Sequence, residues 1–313
     1  MSNYRRKKQS NKFLLVILSL LTLLAVTLGC IYLSGEPLEN LIGQFINFET
    51  QSPSIPAINP EGEEMAVHFI DVGQGDATLF QTSNGSVLVD CGESEYGDDV
   101  VAYLKAQGVE ELEYFIITHP DSDHMGCAAY ILQNIDVKVF VMNGQEKTTQ
   151  FFKKALDMIE EKQIAVDIVG PGDVITVGAL QMKIYGPQKD ILESEKWNEA
   201  SLIIHASYGN RSFLLTGDAE KEGEKDILEN YANLIACDVF SAGHHGSKTS
   251  NSAELLMAAK PTYVVISCAE GNSYGHPHQE ALDRFEDIGA TVYRTDKLGS
   301  IVFITDGETL TKK

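Results

Sequence analysis

Apolar positions alternate or run together over residues 66–72, 77–81 and 86–90, with Gly-rich turns between them, which predicts consecutive strands of a meander. Helical spacing takes over at 98–107, followed by a strand at 114–118, a helix at 124–134, a strand at 137–142 and a helix at 148–162. The second half begins again with strands, at 165–169, 173–177, 180–185, 201–208 and 211–216. Helices at 220–231, 252–260 and 278–288 then alternate with strands at 239–241, 263–267, 291–294 and 299–305. Strands followed by helices, twice over, predict an α/β chain in which two sheets pack face to face and helices cover both outer surfaces.

The region before this pattern has a different character. Residues 1–12 form a basic tail with Arg5, Arg6, Lys7, Lys8 and Lys12 and no acid, and residues 13–33 follow as 21 positions without a charge. At 1.5 Å per residue that run spans the hydrocarbon layer, roughly 30 Å thick. The positive flank places the N-terminus in the cytoplasm and everything after Leu33 outside, as a single-pass cell-membrane protein. A cleaved signal peptide has a shorter apolar region. Lipidation at Cys30 is the other alternative, since Thr27-Leu28-Gly29-Cys30 faintly resembles a lipoprotein processing site. Residues 34–64, with Pro37, Pro53, Pro56 and Pro60 among polar residues, read as an extracellular linker with at most one amphipathic turn at 38–48, so the folded domain is expected to span 65–313.

Charge narrows the partners. The chain carries 24 Lys and Arg against 45 Asp and Glu, a net of −21. Without the five tail cations the external part has 19 against 45, a net of about −26, which is poor footing for a long polyanion. Lys248, Arg294 and Lys297 are candidates for a local basic rim. The five cysteines show no CxxC spacing, so neither a zinc finger nor a thioredoxin-like redox pair is indicated, and they read as small buried apolar residues.

The chemistry concentrates in His119-Pro120-Asp121-Ser122-Asp123-His124, between the apolar strand at 114–118 and the next helix. Two imidazoles and two carboxylates at the carboxyl end of a strand can converge on one cation, whereas a merely solvated loop has no reason to alternate these types. Other acids and histidines also end apolar strands: Asp90 after Val87-Leu88-Val89, Asp218 after Leu214-Leu215-Thr216-Gly217, His244-His245-Gly246-Ser247 after Val239-Phe240-Ser241, and Tyr274-Gly275-His276-Pro277.

In this order the residues resemble the metallo-β-lactamase superfamily. The set Asp71-Val72-Gly73-Gln74-Gly75-Asp76, His119 to His124, Asn198-x-x-Ser201, His244-His245-Gly246-Ser247 and Tyr274 to Pro277 is similar to the extracellular hydrolase domain of ComEC-type DNA-uptake proteins, over about residues 65–306. The resemblance implies a four-layer αββα sandwich with two divalent metal ions at one edge of the sheets. It implies that His119 and Asp121 hold the first metal, Asp123 and His124 the second, and that Asp218 bridges them. One of His244 and His245 is the expected further ligand of the second metal, His244 in preference, with His245 then the proton donor to the leaving group. Asp90 is expected to orient a ligand histidine, and Asn198, Ser201 and His276 to reach phosphoryl oxygens. Two departures from the commoner pattern, Asp121 in place of a second histidine and Asn198 near a usual histidine position, make the site richer in oxygen and favour Mn²⁺ or Mg²⁺ relative to Zn²⁺.

The expected activity is metal-dependent hydrolysis of a phosphodiester by a metal-bridging hydroxide, with DNA among the candidate substrates, so the chain would be a phosphodiesterase or nuclease. The resembled uptake proteins have many membrane spans and this chain has one candidate, so any role beside DNA-uptake machinery would be accessory. Alternatives are an esterase of cell-wall phosphodiesters such as phosphocholine or teichoic acid, and a non-catalytic competence-associated module that binds DNA.

Overall fold

The computed structural model describes residues 57, 58, 60, 62–193 and 196–313. The chain divides into a unit of residues 1–55 and a compact unit of 56–313, and the fold below is that of the second. The basic tail, the expected anchor at 13–33 and most of the linker fall outside the described residues. Among the described residues no helix is long and apolar enough to cross a membrane.

Fifteen strands form two sheets among the described residues. The first half of the chain contributes β1 Met65–Phe69, β2 Thr78–Thr82, β3 Gly85–Val89, β4 Glu111–Ile116, β5 Asp136–Met142 and β6 Ala165–Ile168. The second half contributes β7 Val174–Val177, β8 Leu180–Gly186, β9 Ile203–Tyr208, β10 Arg211–Leu215, β11 Val239–Ser241, β12 Tyr263–Ile266 and β13 Thr291–Arg294, then β14 Ile301–Thr305 and β15 Leu310–Lys312. One sheet has the order β15-β14-β1-β2-β3-β4-β5-β6 and the other β13-β12-β11-β10-β9-β8-β7.

The period-two pattern explains the layers. In β1, Met65, Val67 and Phe69 face the space between the sheets, where they meet Met182, Ile204, Phe213, Val265 and Phe303. The outer face of the first sheet is covered by helices Gly97–Ala106, Ala128–Asn134 and Gln150–Lys162, with Leu88, Phe115 and Phe140 beneath them. Helices Lys221–Tyr231, Ala253–Ala259 and Gln279–Asp287 cover the second, over Leu214, Phe240 and Val264. This is the expected αββα sandwich. β1 and β2 are covered on both faces and buried throughout, including the polar His68, Thr78, Gln81 and Thr82.

Three features are absent from the sequence reading. The helix expected at 124–134 is two, Ser122–Met125 and Ala128–Asn134. The break falls at Gly126, where a Cβ would lie 2.3 Å from Ser122 O and 2.6 Å from Ser94 N, so the chain is drawn against a neighbouring loop. Strand β14, for which the sequence indicated no sheet neighbour, leaves β13 and pairs with β1 in the other sheet. The polar β15 then adds antiparallel to β14 at the sheet edge, where one paired side suffices and no apolar pattern announces it.

Candidate metal centre

Parallel strands end on the same edge of a sheet, so the chain segments that follow β4, β10 and β11 leave their sheets where side chains can meet. The turn His119 to His124 is fixed there from both sides. Asp76 N donates to Asp123 O at 3.1 Å and Cys91 N donates to His124 O at 2.8 Å. Gly75 makes the first of these approaches feasible, because a Cβ at this position would lie 2.5 Å from Asp123 O.

The second histidine pair is held by a different device. His244 (φ 51°, ψ 47°) and His245 (φ 55°, ψ 30°) are both left-handed, a conformation costing about 1–3 kcal/mol per non-Gly residue. Asn251 keeps them there: its Oδ1 accepts from Gly243 N at 2.8 Å, and its Nδ2 donates to Gly243 O at 2.9 Å and Ser247 O at 3.2 Å. The buried Glu224 accepts in turn from Asn251 N and from Ser252 N. Glu199 accepts from Glu220 N, Glu222 N and Gly223 N, which secures the helix start that carries Glu220 towards His244.

The hydrogen-bond pattern assigns the imidazole tautomers. Thr118 Oγ1 donates to Asp90 Oδ2 at 2.7 Å, and Ser201 Oγ donates to Asn198 O at 2.8 Å. Both hydroxyls therefore present lone pairs to His119 Nδ1, each at 3.2 Å, so Nδ1 carries the proton and Nε2 a bare lone pair. His124 Nδ1 donates to Asp90 Oδ2 at 2.8 Å and His245 Nδ1 donates to Ser267 O at 3.1 Å. Their Nε2 atoms point back to the same space. His119 Nε2 is buried without a hydrogen-bond partner, and His124 Nε2 and Asp218 Oδ1, equally buried, have only each other.

Asp218 stands between two groups. Its Oδ1 lies 3.0 Å from His124 Nε2 and 3.8 Å from His245 Nε2, while its Oδ2 lies 3.5 Å from His244 Nε2 and 3.9 Å from His119 Nε2. Asp123 Oδ2 is 3.1 Å from His245 Nε2, and Asp121 Oδ2 is 3.9 Å from His119 Nε2. Bonds of about 2.0–2.2 Å put donor atoms on one ion roughly 3–3.6 Å apart, so the closest of these spacings suit a shared cation. Asp123, His124, Asp218 and His245 form such a group, with ligand atoms all within 4.8 Å of one another.

The charges fit the same conclusion. Burial, reinforced by the adjacent His124, pushes His119 down to about 4, so it is a neutral donor. Burial also opposes ionisation of His245, but Asp218, Asp123 and Asp76 outweigh it and hold it up at about 9. His124 is likewise raised by Asp218 and Asp90 against burial, and Asp218 is held well below the usual carboxylate range by His124 and His245 despite burial. Without a cation, protons on two imidazoles balance the buried carboxylates; a divalent ion would replace those protons.

The other expected residues fall in two groups. Asp90 lies behind His124 and also accepts from Thr118 N at 2.8 Å. Ser201 is fully buried, with its hydroxyl on His119, Asn198 O and Asp218 N, so it positions ligands and is not open to a substrate as expected. Asn198 and His276 line a cleft of about 250 Å³ with Asp121, Asp123, Asp218, His244 and His245. The histidine pair is distributed differently from the expectation: His245 joins Asp123, His124 and Asp218, whereas His244, 22% exposed, has Nδ1 3.2 Å from Glu220 Oε1. Lys147, Glu220, Asn251 and Thr118 carried no signal in the sequence beyond their polarity.

Of the three candidates for a basic rim, Lys248 is exposed beside the histidine pair and the other two are engaged by acids. Arg294 pairs with Asp296, and Lys297 lies near Asp296 and Glu270. A cavity of about 450 Å³ adjoins the cleft, sharing Gln74, Asp123 and Tyr274, and adds Glu93, Glu95 and Tyr96.

A family model described as the metallo-beta-lactamase superfamily matches residues 70–270. The chain is 34% identical over 266 residues to ComE operon protein 3 of Bacillus subtilis (79% of this chain, 34% of that protein). It is 28% identical over 253 residues to competence protein ComA of Neisseria gonorrhoeae (79% and 33%), and 30% identical over 243 residues to recombination protein 2 of Haemophilus influenzae (75% and 28%). The chain thus spans about a third of the length of the curated relatives it matches. Among solved structures, the metallo-beta-lactamase fold protein YhfI of Bacillus subtilis superposes with a TM-score of 0.52 at 14% identity, covering 78% of this chain and 100% of that one. The diiron beta-hydroxylase CmlA of Streptomyces venezuelae gives 0.51 at 14% identity, covering 75% and 53%. At such identities these two speak for the fold alone.

Proposed function

Since the chain belongs to the metallo-β-lactamase superfamily and is related to ComEC-type competence proteins, we propose that it hydrolyses phosphodiesters with a divalent metal, outside the cell, beside the DNA-uptake machinery and tethered by residues 13–33. The observation that carries the hydrolytic reading is the convergence of the Nε2 atoms of His119, His124, His244 and His245 on the two oxygens of Asp218. Asp123, His124, Asp218 and His245 would hold the ion. Two carboxylates with two imidazoles suit Mn²⁺ or Zn²⁺. When bound, such a cation lowers the pKa of water towards neutrality and balances charge on a phosphoryl group.

The chain's own residues do the rest. Asp90, Ser201 and the Ser267 carbonyl fix the imidazoles so that lone pairs face the cleft, with no reorganisation needed during reaction. His276, pushed down to about 4 by burial and by His245, His244 and His278, is a neutral hydrogen-bonding group on the cleft wall, and Asn198 is a second. His245 takes the ligand role first expected of His244. His244, more exposed and backed by Glu220, becomes the imidazole that passes a proton to the leaving oxygen.

The substrate has a second reading with an observation behind it. Glu93 and Glu95 beside Tyr96 and Tyr274 make the adjoining cavity acidic and aromatic, which suits a small phosphodiester carrying a cationic group, such as a cell-wall phosphocholine, better than a polyanion. Full-length protein loaded with Mn²⁺ is to be incubated with a bis-phosphodiester chromogen, single-stranded DNA and double-stranded DNA, with Asp123→Asn as control. Turnover of the chromogen that vanishes in the folded control is expected. Chromogen cleavage without DNA cleavage selects the small-substrate reading, and inertness towards all three refutes hydrolysis in favour of a binding module.

A further inference from the structure

Lys147 occupies an uncommon place for a lysine, with its side chain only 16% exposed. Its ammonium rests on Asp121 Oδ1 and 4.7 Å from the centroid of the Trp197 ring. The segment that presents it is built, not loose. The buried Asn143 donates to Gln145 Oε1 at 3.0 Å and to Ala200 O at 2.7 Å, and accepts from Gln145 N at 2.9 Å.

The two sides of Asp218 are therefore unequal. On the Oδ1 side the carboxylate of Asp123 and the imidazoles of His124 and His245 close to within 4.8 Å of one another. On the Oδ2 side His119 and His244 remain at 3.9 and 3.5 Å, but Asp121, whose Oδ2 lies 3.9 Å from His119 Nε2, has its Oδ1 engaged by an ammonium. We propose that the Lys147 ammonium takes the place of one of two metal ions, so that the centre holds a single tightly bound divalent cation, among Asp123, His124, Asp218 and His245, beside a fixed positive charge on Asp121. The ammonium supplies at Asp121 the positive charge that a second cation would otherwise bring. Lys147 acts here as a positioning residue, anchoring Asp121 at the cleft edge.

The inference rests on the reading that this cluster binds a divalent cation, and the test separates the two. Full-length protein is saturated with Mn²⁺ and, separately, Zn²⁺, desalted, and its metal content per chain measured by mass spectrometry, with circular dichroism as the check on folding. One ion per wild-type chain is expected, one in Lys147→Arg, and two in Lys147→Met. Two ions of comparable affinity in the wild type, or one in a folded Lys147→Met variant, overturn the inference while leaving the metal centre standing. No bound ion overturns both. If Lys147→Met does not fold, electron paramagnetic resonance of the Mn²⁺-loaded wild type decides alone: an isolated six-line signal supports a single ion, and an exchange-coupled pair refutes it.

Discussion

Replacing Asp90 by Asn tests the hydrogen-bond logic of the centre with almost no change of shape. Asp90 has φ 57°, a left-handed conformation that Asn also tolerates, so the backbone should not move. One carboxylate oxygen accepts from Thr118 N at 2.8 Å, a bond an amide oxygen preserves. The other accepts from His124 Nδ1 at 2.8 Å and Thr118 Oγ1 at 2.7 Å, and in Asn it becomes an NH₂ group that faces two donors. The Thr118 hydroxyl can rotate to accept; the imidazole cannot, and relieves the clash only by moving its proton to Nε2, which removes the lone pair turned towards Asp218. Loss of such a supporting partner typically costs 10–100-fold in metal affinity, or about 1.4–2.8 kcal/mol. Titration of wild type and Asp90→Asn against a chelating dye at pH 7.5 should show that loss, with circular dichroism unchanged. Affinities within about twofold of each other would mean that His124 is not held by Asp90, and the tautomer argument would fail.

Chelation and pH supply two further tests. A ligand that binds only the folded state stabilises it by about 2.7 kcal/mol at 100 times its dissociation constant, so excess chelator should lower the melting temperature of the metal-loaded protein by several degrees, and unchanged melting would count against a resident ion. His68, pushed down to about 4 by burial, packs edge-on against Tyr103 at 5.8 Å. Because the unfolded imidazole titrates near 6.5, the unfolded state takes up the proton first; the stability is complete above that value and lost as pH falls from 6.5 to about 4, to a maximum of roughly 3 kcal/mol. The urea midpoint of His68→Leu should therefore fall less than that of the wild type between pH 7 and pH 4.5, and parallel falls would contradict the assignment.

Much of the architecture was legible in the pattern of residues, because strand and helix periods and the burial of both sheet faces are local properties repeated along the chain. The start of the sandwich at Met65, the strands that end at Val89, Ile116 and Leu215, and the acid or histidine after each were readable for that reason. The supporting role expected of Asp90 came from the resemblance, since a strand-end Asp taken alone is more often a turn or helix cap. What remained hidden depended on contacts between distant segments. That β14 crosses to the other sheet follows from antiparallel pairing with β1, more than 230 positions away. Which of two adjacent histidines faces Asp123 is decided by the left-handed turn that Asn251 and Glu224 impose, and no local preference of a His-His pair encodes it. Lys147 meets Asp121 across 26 residues, through a buried side-chain network that has no period. Patterning along the chain determined the layers and brought the right chemical types to one edge, since it acts through average burial; the division of labour among those groups was left to directional hydrogen bonds and ion pairs, which exist only once the sheets have packed.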